Sequence, residues 1–93
     1  MLCKVILVMD GDTIGISPRW RFRGETGNRV RIRGYDAPEL NTRAGRMARA
    51  KLRKLVSGKR VKLKNPVKFT YGRLLCDVYL GKKNVAAFFP ECQ

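Results

Sequence analysis

Histidine is absent from this sequence of 93 residues. Its absence excludes imidazole as a general base, a nucleophile partner or a metal ligand, so acid–base chemistry would need a carboxylate, Lys, Tyr or Cys. The three cysteines, Cys3, Cys76 and Cys92, lie far apart and form no Cys-x-x-Cys pair. This spacing argues against a zinc site and favours free thiols in a reducing compartment.

Long apolar runs are absent as well. The stretch from Val5 to Met9 is apolar, but Asp10 and Asp12 follow it at once, with no small-residue cleavage site. A membrane span needs about 20 apolar residues and a signal peptide needs a cleavage site, so we expect a core strand here. As given, the sequence predicts a cytoplasmic protein with no membrane attachment, although a leader removed earlier would leave no trace.

Acidic residues are scarce: there are seven Asp plus Glu against 21 Lys plus Arg, and the formal net charge is +14. Such an excess of positive charge repels itself in a compact chain and indicates a polyanionic partner, for which we expect nucleic acid. An anionic membrane surface is the rival partner. It is disfavoured because the one amphipathic helix lacks a bulky aromatic residue on its apolar face. The length predicts one small domain over residues 1–93.

Hydrophobic periodicity predicts a mainly β protein. Period-two patterns indicate short strands, among them 2–9, 29–33, 61–64 and 74–80. We interpret Asp10 to Thr13 as a bulge or bend within a continuing ribbon rather than a hairpin turn, because a strand pattern resumes at Thr13. Residues 24–28 and 65–70 have the composition of loops. The first three strands are expected to form an antiparallel meander.

A single amphipathic helix is predicted between the third and fourth strands. Asn41 and Thr42 are both suitable N-caps, and Gly58 is suitable at the C-terminal end. The helix would bury residues at three- and four-residue spacing: Ala44, Met47, Ala48, Leu52, Leu55 and Val56. Five strands with this helix suggest a small closed barrel of the oligonucleotide-binding type. A short helix from Val85 to Phe89 would end at Pro90.

Four of the seven acids lie in two short bends: Asp10, Asp12, Asp36 and Glu39. If the first and third strands are neighbours, these bends meet at one end of the barrel. Carboxylates with a backbone carbonyl suit a hard cation, Ca²⁺ or Mg²⁺.

Two arginines complete the set of charged groups. Arg31 and Arg73 carry guanidinium groups that match phosphate oxygens bidentately. A cation, a carboxylate that orients water and two arginines are the groups needed to cleave a phosphodiester.

Three motifs, in order, resemble the staphylococcal nuclease (thermonuclease-like) family: Asp10 to Thr13, Val30 to Glu39, and Tyr71 to Leu75. The resemblance covers the chain from Val5 to about Val85. It implies a five-stranded barrel and a Ca²⁺-dependent nuclease. That nuclease would act on RNA and on single-stranded or frayed DNA and would leave 3′-phosphates. The alternative is a barrel that binds nucleic acid without cutting it, for which the charge of +14 alone would suffice.

The resemblance also implies roles, residue by residue. Asp12 and Asp36 would bind the metal through their carboxylates and Ala37 through its main-chain carbonyl, with Asp10 supporting them from behind. Glu39 would be the base, and Arg31 and Arg73 would hold the phosphate. Tyr71 would lie beside the nucleotide.

Two departures from the family pattern are visible. Thr70 stands where the best-known member has a phosphate-contacting lysine, which we expect to alter affinity more than chemistry. The family usually continues through further helices, whereas this sequence stops at Gln93. We therefore expect Phe88 and Phe89 to lack an intramolecular cover, and a second copy of the chain would then be a suitable partner for them.

Overall fold

The computed structural model describes all 93 residues. Five strands and one helix make up most of it: β1 (Leu2–Val8), β2 (Thr13–Phe22), β3 (Glu25–Ile32), α1 (Arg43–Val56), β4 (Arg60–Thr70) and β5 (Arg73–Leu80). A two-residue strand, β6 (Lys83–Asn84), and two 3₁₀ turns, Val85–Phe88 and Pro90–Cys92, complete the chain.

The five long strands close into a barrel. They pair antiparallel in the order β3-β2-β1-β4-β5, and a parallel pairing of β3 with β5 joins the two ends of the sheet. In that closing pair Val30 lies opposite Leu74 and Ile32 opposite Cys76. The structure therefore confirms the predicted mainly β fold: a five-stranded barrel of the oligonucleotide-binding type, with one helix between β3 and β4.

The barrel interior is filled by one cluster of 20 buried residues. Alternate strand positions supply most of it; Ile14 and Val30, for example, are completely buried. Trp20 from β2 is 1% exposed, and Leu52 and Val56 from α1 are fully covered. The helix thus covers one end of the barrel, as its apolar spacing predicts.

Three predictions about local structure are wrong. Val8 pairs with Ile14, so the turn after β1 is a hairpin rather than a bend in a continuing ribbon. The two segments predicted as loops, 24–28 and 65–70, are almost wholly strand. Cross-strand pairing compensates there for weak local strand propensity.

The predicted helix face is also partly wrong. Thr42 is the N-cap, with its hydroxyl accepting from the Gly45 amide at 3.0 Å. Gly45 is buried, whereas Met47 is 61% exposed and Ala44 is exposed as well. Gly45 faces the backbone of Pro38 and Glu39, which leaves no room for a side chain at that position.

The C-terminal aromatic residues contradict the expectation that they lack a cover. Phe89 is completely buried, and its ring stacks on Tyr35 with centroids 4.4 Å apart. Phe88 is half-buried, with the ammonium of Lys83 at 4.1 Å from its ring centroid. The chain itself covers Phe89. The expectation that Phe89 needs a second copy of the chain as its cover is therefore wrong.

The structure contains no helix with the length and apolar character needed to cross a membrane.

Candidate active site

Three segments distant in sequence meet at one cleft of about 270 Å³. The β1–β2 turn supplies one part, the segment after β3 a second, and the start of β5 a third. The lining residues are Asp10, Asp12, Arg31, Asp36, Ala37, Pro38, Glu39, Leu40 and Arg73. The cleft therefore combines four of the seven acids of the chain with two arginines.

The hairpin turn after β1 places Asp12 in the cleft. The backbone amide of Asp12 donates to Oδ1 of Asp10 at 3.0 Å, which closes the turn on itself. The hydroxyl of Tyr35 donates to the Gly11 carbonyl at 2.6 Å. Because Tyr35 lies just after β3, this bond ties the turn to the segment that carries Asp36.

A second bond joins the same two segments directly. The Ala37 amide donates to Oδ2 of Asp12 at 2.9 Å. Asp12 is 7% exposed, and burial is the main reason why its pKa is raised. The neighbouring Asp10 raises that pKa further, whereas the Ala37 amide and the charge of Arg31 oppose the rise.

Arg31 lies between the two aspartates that were predicted to bind metal. Its Nη2 lies 3.4 Å from Oδ2 of Asp12 and 3.0 Å from Oδ1 of Asp36. Its Nη1 donates to the carbonyls of Ile32 and Tyr35, the second at 2.9 Å. The guanidinium is thus held in the cleft by backbone contacts as well as by charge.

Arg73 enters the cleft from the start of β5, the strand that pairs with β3. Its Nη1 donates to the Thr13 hydroxyl at 3.0 Å, and that hydroxyl in turn donates to Oδ1 of Asp12 at 3.3 Å. Arg73 forms no ion pair with Asp77, which lies on the same strand. Instead, Asp77 accepts from the side-chain amide of Asn65 at 2.9 Å.

Glu39 and Tyr71 differ in how close they come to this centre. Glu39 lines the cleft with an exposed side chain, while its carbonyl accepts from both the amide (3.0 Å) and the hydroxyl (2.6 Å) of Thr42. Tyr71 is 91% exposed in the β4–β5 turn and does not line the cleft. The fold therefore gathers all the predicted site residues except Tyr71.

The carboxylate oxygens in the cleft are ligands of the kind that a hard cation binds. Asp12 and Asp36 direct carboxylate oxygens at a single nitrogen atom of Arg31, so both can face one positive charge. Oxygen donors of this kind are those that Ca²⁺ and Mg²⁺ take. The structure contains no group of three or more His, Cys, Asp or Glu side chains placed to hold a metal. A site here would need a backbone carbonyl, water or substrate oxygens to complete it.

The sequence did not predict that two further residues, Thr13 and Tyr35, belong to the site. Thr13 links Asp12 to Arg73 through its hydroxyl, and Tyr35 holds the β1–β2 turn. The position of Thr13 directly after Asp12 in the sequence could have indicated its role. Nothing local marks Tyr35, because its partner is 24 residues away.

Known proteins are similar to this chain over much of its length. A family model described as "Staphylococcal nuclease homologue" matches residues 29–89. The chain is 34% identical, over 83 residues, to an uncharacterized endonuclease of Haemophilus influenzae; the match covers 89% of this chain and 44% of that protein. An uncharacterized endonuclease of Escherichia coli is 34% identical over 76 residues, 82% of this chain and 46% of its own length.

A plant protein is similar over a shorter stretch. A probable staphylococcal-like nuclease of Oryza sativa is 45% identical over 51 residues, which cover 55% of this chain and 14% of that protein. The chain spans about half the length of the bacterial relatives that it matches.

Proposed function

Because this chain belongs to the family of staphylococcal nuclease homologues, we propose that it hydrolyses phosphodiester bonds in nucleic acid. The observation that carries the proposal is the cleft itself, in which Asp12, Asp36 and Glu39 lie together with Arg31 and Arg73. Opposite charges in one small cleft are the arrangement that a reacting phosphate requires.

The two arginines would hold the scissile phosphate together. Arg31 comes from β3 and Arg73 from the start of β5, and each is fixed by hydrogen bonds at its guanidinium group. Guanidinium groups stay charged in any setting and match phosphate oxygens in pairs. Here they would stabilise the extra negative charge that develops on the phosphate oxygens as water adds to phosphorus.

Glu39 would orient the attacking water and accept its proton. Its carboxylate is exposed in the cleft while its backbone is held by Thr42, so the side chain is free to meet solvent. Attack by water on phosphorus with departure of the 5′-oxygen breaks one P–O bond and leaves a 3′-phosphate. The proton of the water passes to Glu39, and the 5′-oxygen takes a proton from solvent.

We propose Ca²⁺ as the cofactor, with Mg²⁺ as the alternative. Asp12, Asp36 and the carbonyl of Ala37 would hold the ion, which supplies positive charge to the reacting phosphate when bound. The raised pKa of Asp12 supports this assignment, since a cation would relieve the cost of the buried negative charge. We propose single-stranded DNA or RNA as the substrate.

The proposal is tested with a fluorescent single-stranded DNA of 20 nucleotides and its RNA equivalent. Wild-type protein is incubated with Ca²⁺, with Mg²⁺ and with chelator, and product ends are analysed for 3′-phosphate. Glu39→Gln is expected to lower turnover at least 100-fold without weakening binding in chelator, since general-base catalysis contributes about 10²–10⁴-fold. Glu91→Gln, at an exposed site, is the matched control and should behave as wild type. Absence of metal-dependent cleavage by folded wild type would contradict the proposal.

A second candidate is a binding module that holds nucleic acid without cutting it, which the net charge of +14 favours. It predicts affinity that falls with salt by a slope of about −0.7 per phosphate contact on single strands and does not respond to Ca²⁺. Under this candidate Glu39→Gln changes nothing measurable. The two candidates therefore give different results in the same assay.

A further inference from the structure

A second cluster of arginines lies outside the cleft, on the hairpin formed by β2 and β3. We call residues 19–26 the arginine ribbon. Arg19, Arg21 and Arg23 are all exposed, and no carboxylate pairs with any of them. Glu25 is the one acid between residues 13 and 35. The ribbon therefore presents a local excess of positive charge that the protein leaves unneutralised.

The ribbon is held firmly on the barrel. Along β2 the arginines alternate with Trp20 and Phe22, so apolar and cationic side chains point to opposite faces. Trp20 is 1% exposed and donates through Nε1 to the Arg29 carbonyl at 2.8 Å. Gly27 lies across from Trp20, and a Cβ there would come within 2.7 Å of its ring. The inward face thus anchors the strand that carries Arg19 and Arg21.

Arg23 occupies the tip of the hairpin in an unusual conformation. Its φ is 50°, in the left-handed region where Gly and Asn are favoured at hairpin turns. Its guanidinium lies over the ring of Phe22 at 4.9 Å. Arginine is disfavoured at such a position, and here it places a third guanidinium group at the tip of the hairpin. The segment 21–26 also lines a shallow depression of about 460 Å³.

We propose that the arginine ribbon is a second binding site for nucleic acid, one that holds the phosphate backbone of the substrate strand outside the cleft. This inference rests on the proposed function only in sharing its substrate. Guanidinium groups bind phosphates in pairs of hydrogen bonds, and side chains at alternate positions on a strand lie about 6.6 Å apart. Contacts of this kind read no sequence, so the ribbon adds affinity without base preference.

The geometry indicates how long a substrate strand must be to reach both the cleft and the ribbon. Thr13, which contacts Arg73 in the cleft, begins the same strand that ends at Phe22 beside the ribbon tip. Nine residue steps at about 3.3 Å give a separation of at most about 30 Å, and the pairing of β2 with β3 is interrupted midway. A stacked strand at about 3.4 Å per nucleotide needs about nine nucleotides to cover that distance. A 20-mer therefore reaches both sites, whereas a stacked 4-mer, about 14 Å long, covers less than half of that upper limit.

The test measures binding by fluorescence anisotropy in chelator, with labelled single-stranded DNA of 20 and of 4 nucleotides. The ribbon variant carries Arg19→Gln, Arg21→Gln and Arg23→Gln. At 0.1 M salt we expect its affinity for the 20-mer to fall about 10- to 100-fold and the magnitude of the salt slope to fall by about 2, from three lost contacts at 0.7 each. Its affinity for the 4-mer should stay within about twofold of wild type.

Two further variants keep the test independent of folding and of overall charge. The control carries Arg53→Gln, Lys54→Gln and Lys82→Gln, which remove the same formal charge from exposed positions elsewhere. It should bind the 20-mer within about threefold of wild type. Glu25→Gln removes the one acid of the ribbon and should tighten 20-mer binding about two- to fivefold.

Equal weakening of the 20-mer by the ribbon variant and the control would overturn the inference, as would equal weakening of both lengths by the ribbon variant. Vesicles of phosphatidylcholine with phosphatidylserine serve as a second probe. If the ribbon variant loses vesicle binding while its 20-mer binding is unchanged, the ribbon is a membrane contact and the inference is wrong. Wild type that cleaves nothing refutes the proposed function but leaves these binding results, and the inference, intact.

Discussion

Gly45 provides a sharp test of how the helix is connected to the candidate active site. Replacing a glycine inside a helix by alanine normally stabilises a protein by about 1 kcal/mol. Here a Cβ on Gly45 would come within 1.9 Å of the Glu39 carbonyl oxygen and 2.8 Å of that of Pro38. Both atoms belong to the backbone, so no side chain can move aside to make room.

The steric cost is expected to exceed the gain in helix propensity. Relieving a 1.9 Å contact requires the 38–39 segment to shift by about 1 Å, and overpacking of this kind costs about 1–3 kcal/mol. The shift also disturbs two bonds that Thr42 donates to the Glu39 carbonyl, at 3.0 and 2.6 Å. Each is worth about 1 kcal/mol. We expect Gly45→Ala to lower the free energy of unfolding by about 2 kcal/mol, and Tm by about 8–16 °C.

Activity should fall too, because Glu39 moves with its backbone. A misplacement of about 1 Å can cost about 100-fold in rate, so kcat/KM for single-stranded DNA should fall at least 10-fold when measured well below Tm. Urea denaturation measures the stability, and the cleavage assay measures the rate. Ala50→Gly, at an exposed position of the same helix, should cost about 1 kcal/mol without changing kcat/KM. A Gly45→Ala protein that is more stable than wild type, with full activity, would refute the steric argument.

Three further predictions concern the C-terminal packing, the tyrosine behind the cleft and the thiols. Phe89→Ala should lower the free energy of unfolding by about 3–5 kcal/mol in denaturant titration, because the ring is fully buried against Tyr35; a loss below about 1 kcal/mol would show that it packs loosely. Burial, reinforced by nearby acidic charge, raises the pKa of Tyr35 above its ordinary value of 10. Since the pKa of Tyr35 is higher in the folded protein than in the unfolded chain, its contribution to stability is fully present below about pH 10 and is lost as pH rises beyond that value. The stability of Tyr35→Phe, measured from urea midpoints, should therefore decline less steeply above pH 10 than that of wild type. At pH 8 a thiol reagent should modify only the half-buried Cys92 in native protein and all three cysteines in urea. The reason is that burial covers Cys3 and raises the pKa of Cys76 to about 12. Modification of more than one thiol in native protein would contradict this prediction.

The elements that could be predicted from the sequence are those whose pattern is local. Alternation along Arg29 to Arg33 reports which face of the strand is buried. Helical spacing before Gly58 predicts the helix and only part of its buried face, and the structure confirms both elements. The failures occur where tertiary contacts decide. Residues 65–70 lack a strand pattern, yet the segment is strand and its last three residues pair with β5, because cross-strand pairing outweighs weak local propensity.

The site shows the same division. The charged side chains of the site could be identified in the sequence, because most of the few acidic residues of this basic chain lie in two short bends. The resemblance assigned roles to these residues, and the roles remain predictions until they are tested. Thr13 as a link between Asp12 and Arg73 could not be derived, since Arg73 is 60 residues away along the chain. Tyr71 was placed beside the substrate by resemblance, but it lies outside the cleft as the protein stands.

By itself, then, the sequence determined the family, the class of fold and the set of charged groups, because each of these depends on residue types and on their spacing over short distances. Only the tertiary structure decided that Gly45 must be a glycine, that Phe89 is covered, and that Arg31 lies between Asp12 and Asp36. Those facts depend on which distant segments touch. Contact across a closed barrel follows from strand pairing and packing of the whole chain, which no local pattern records.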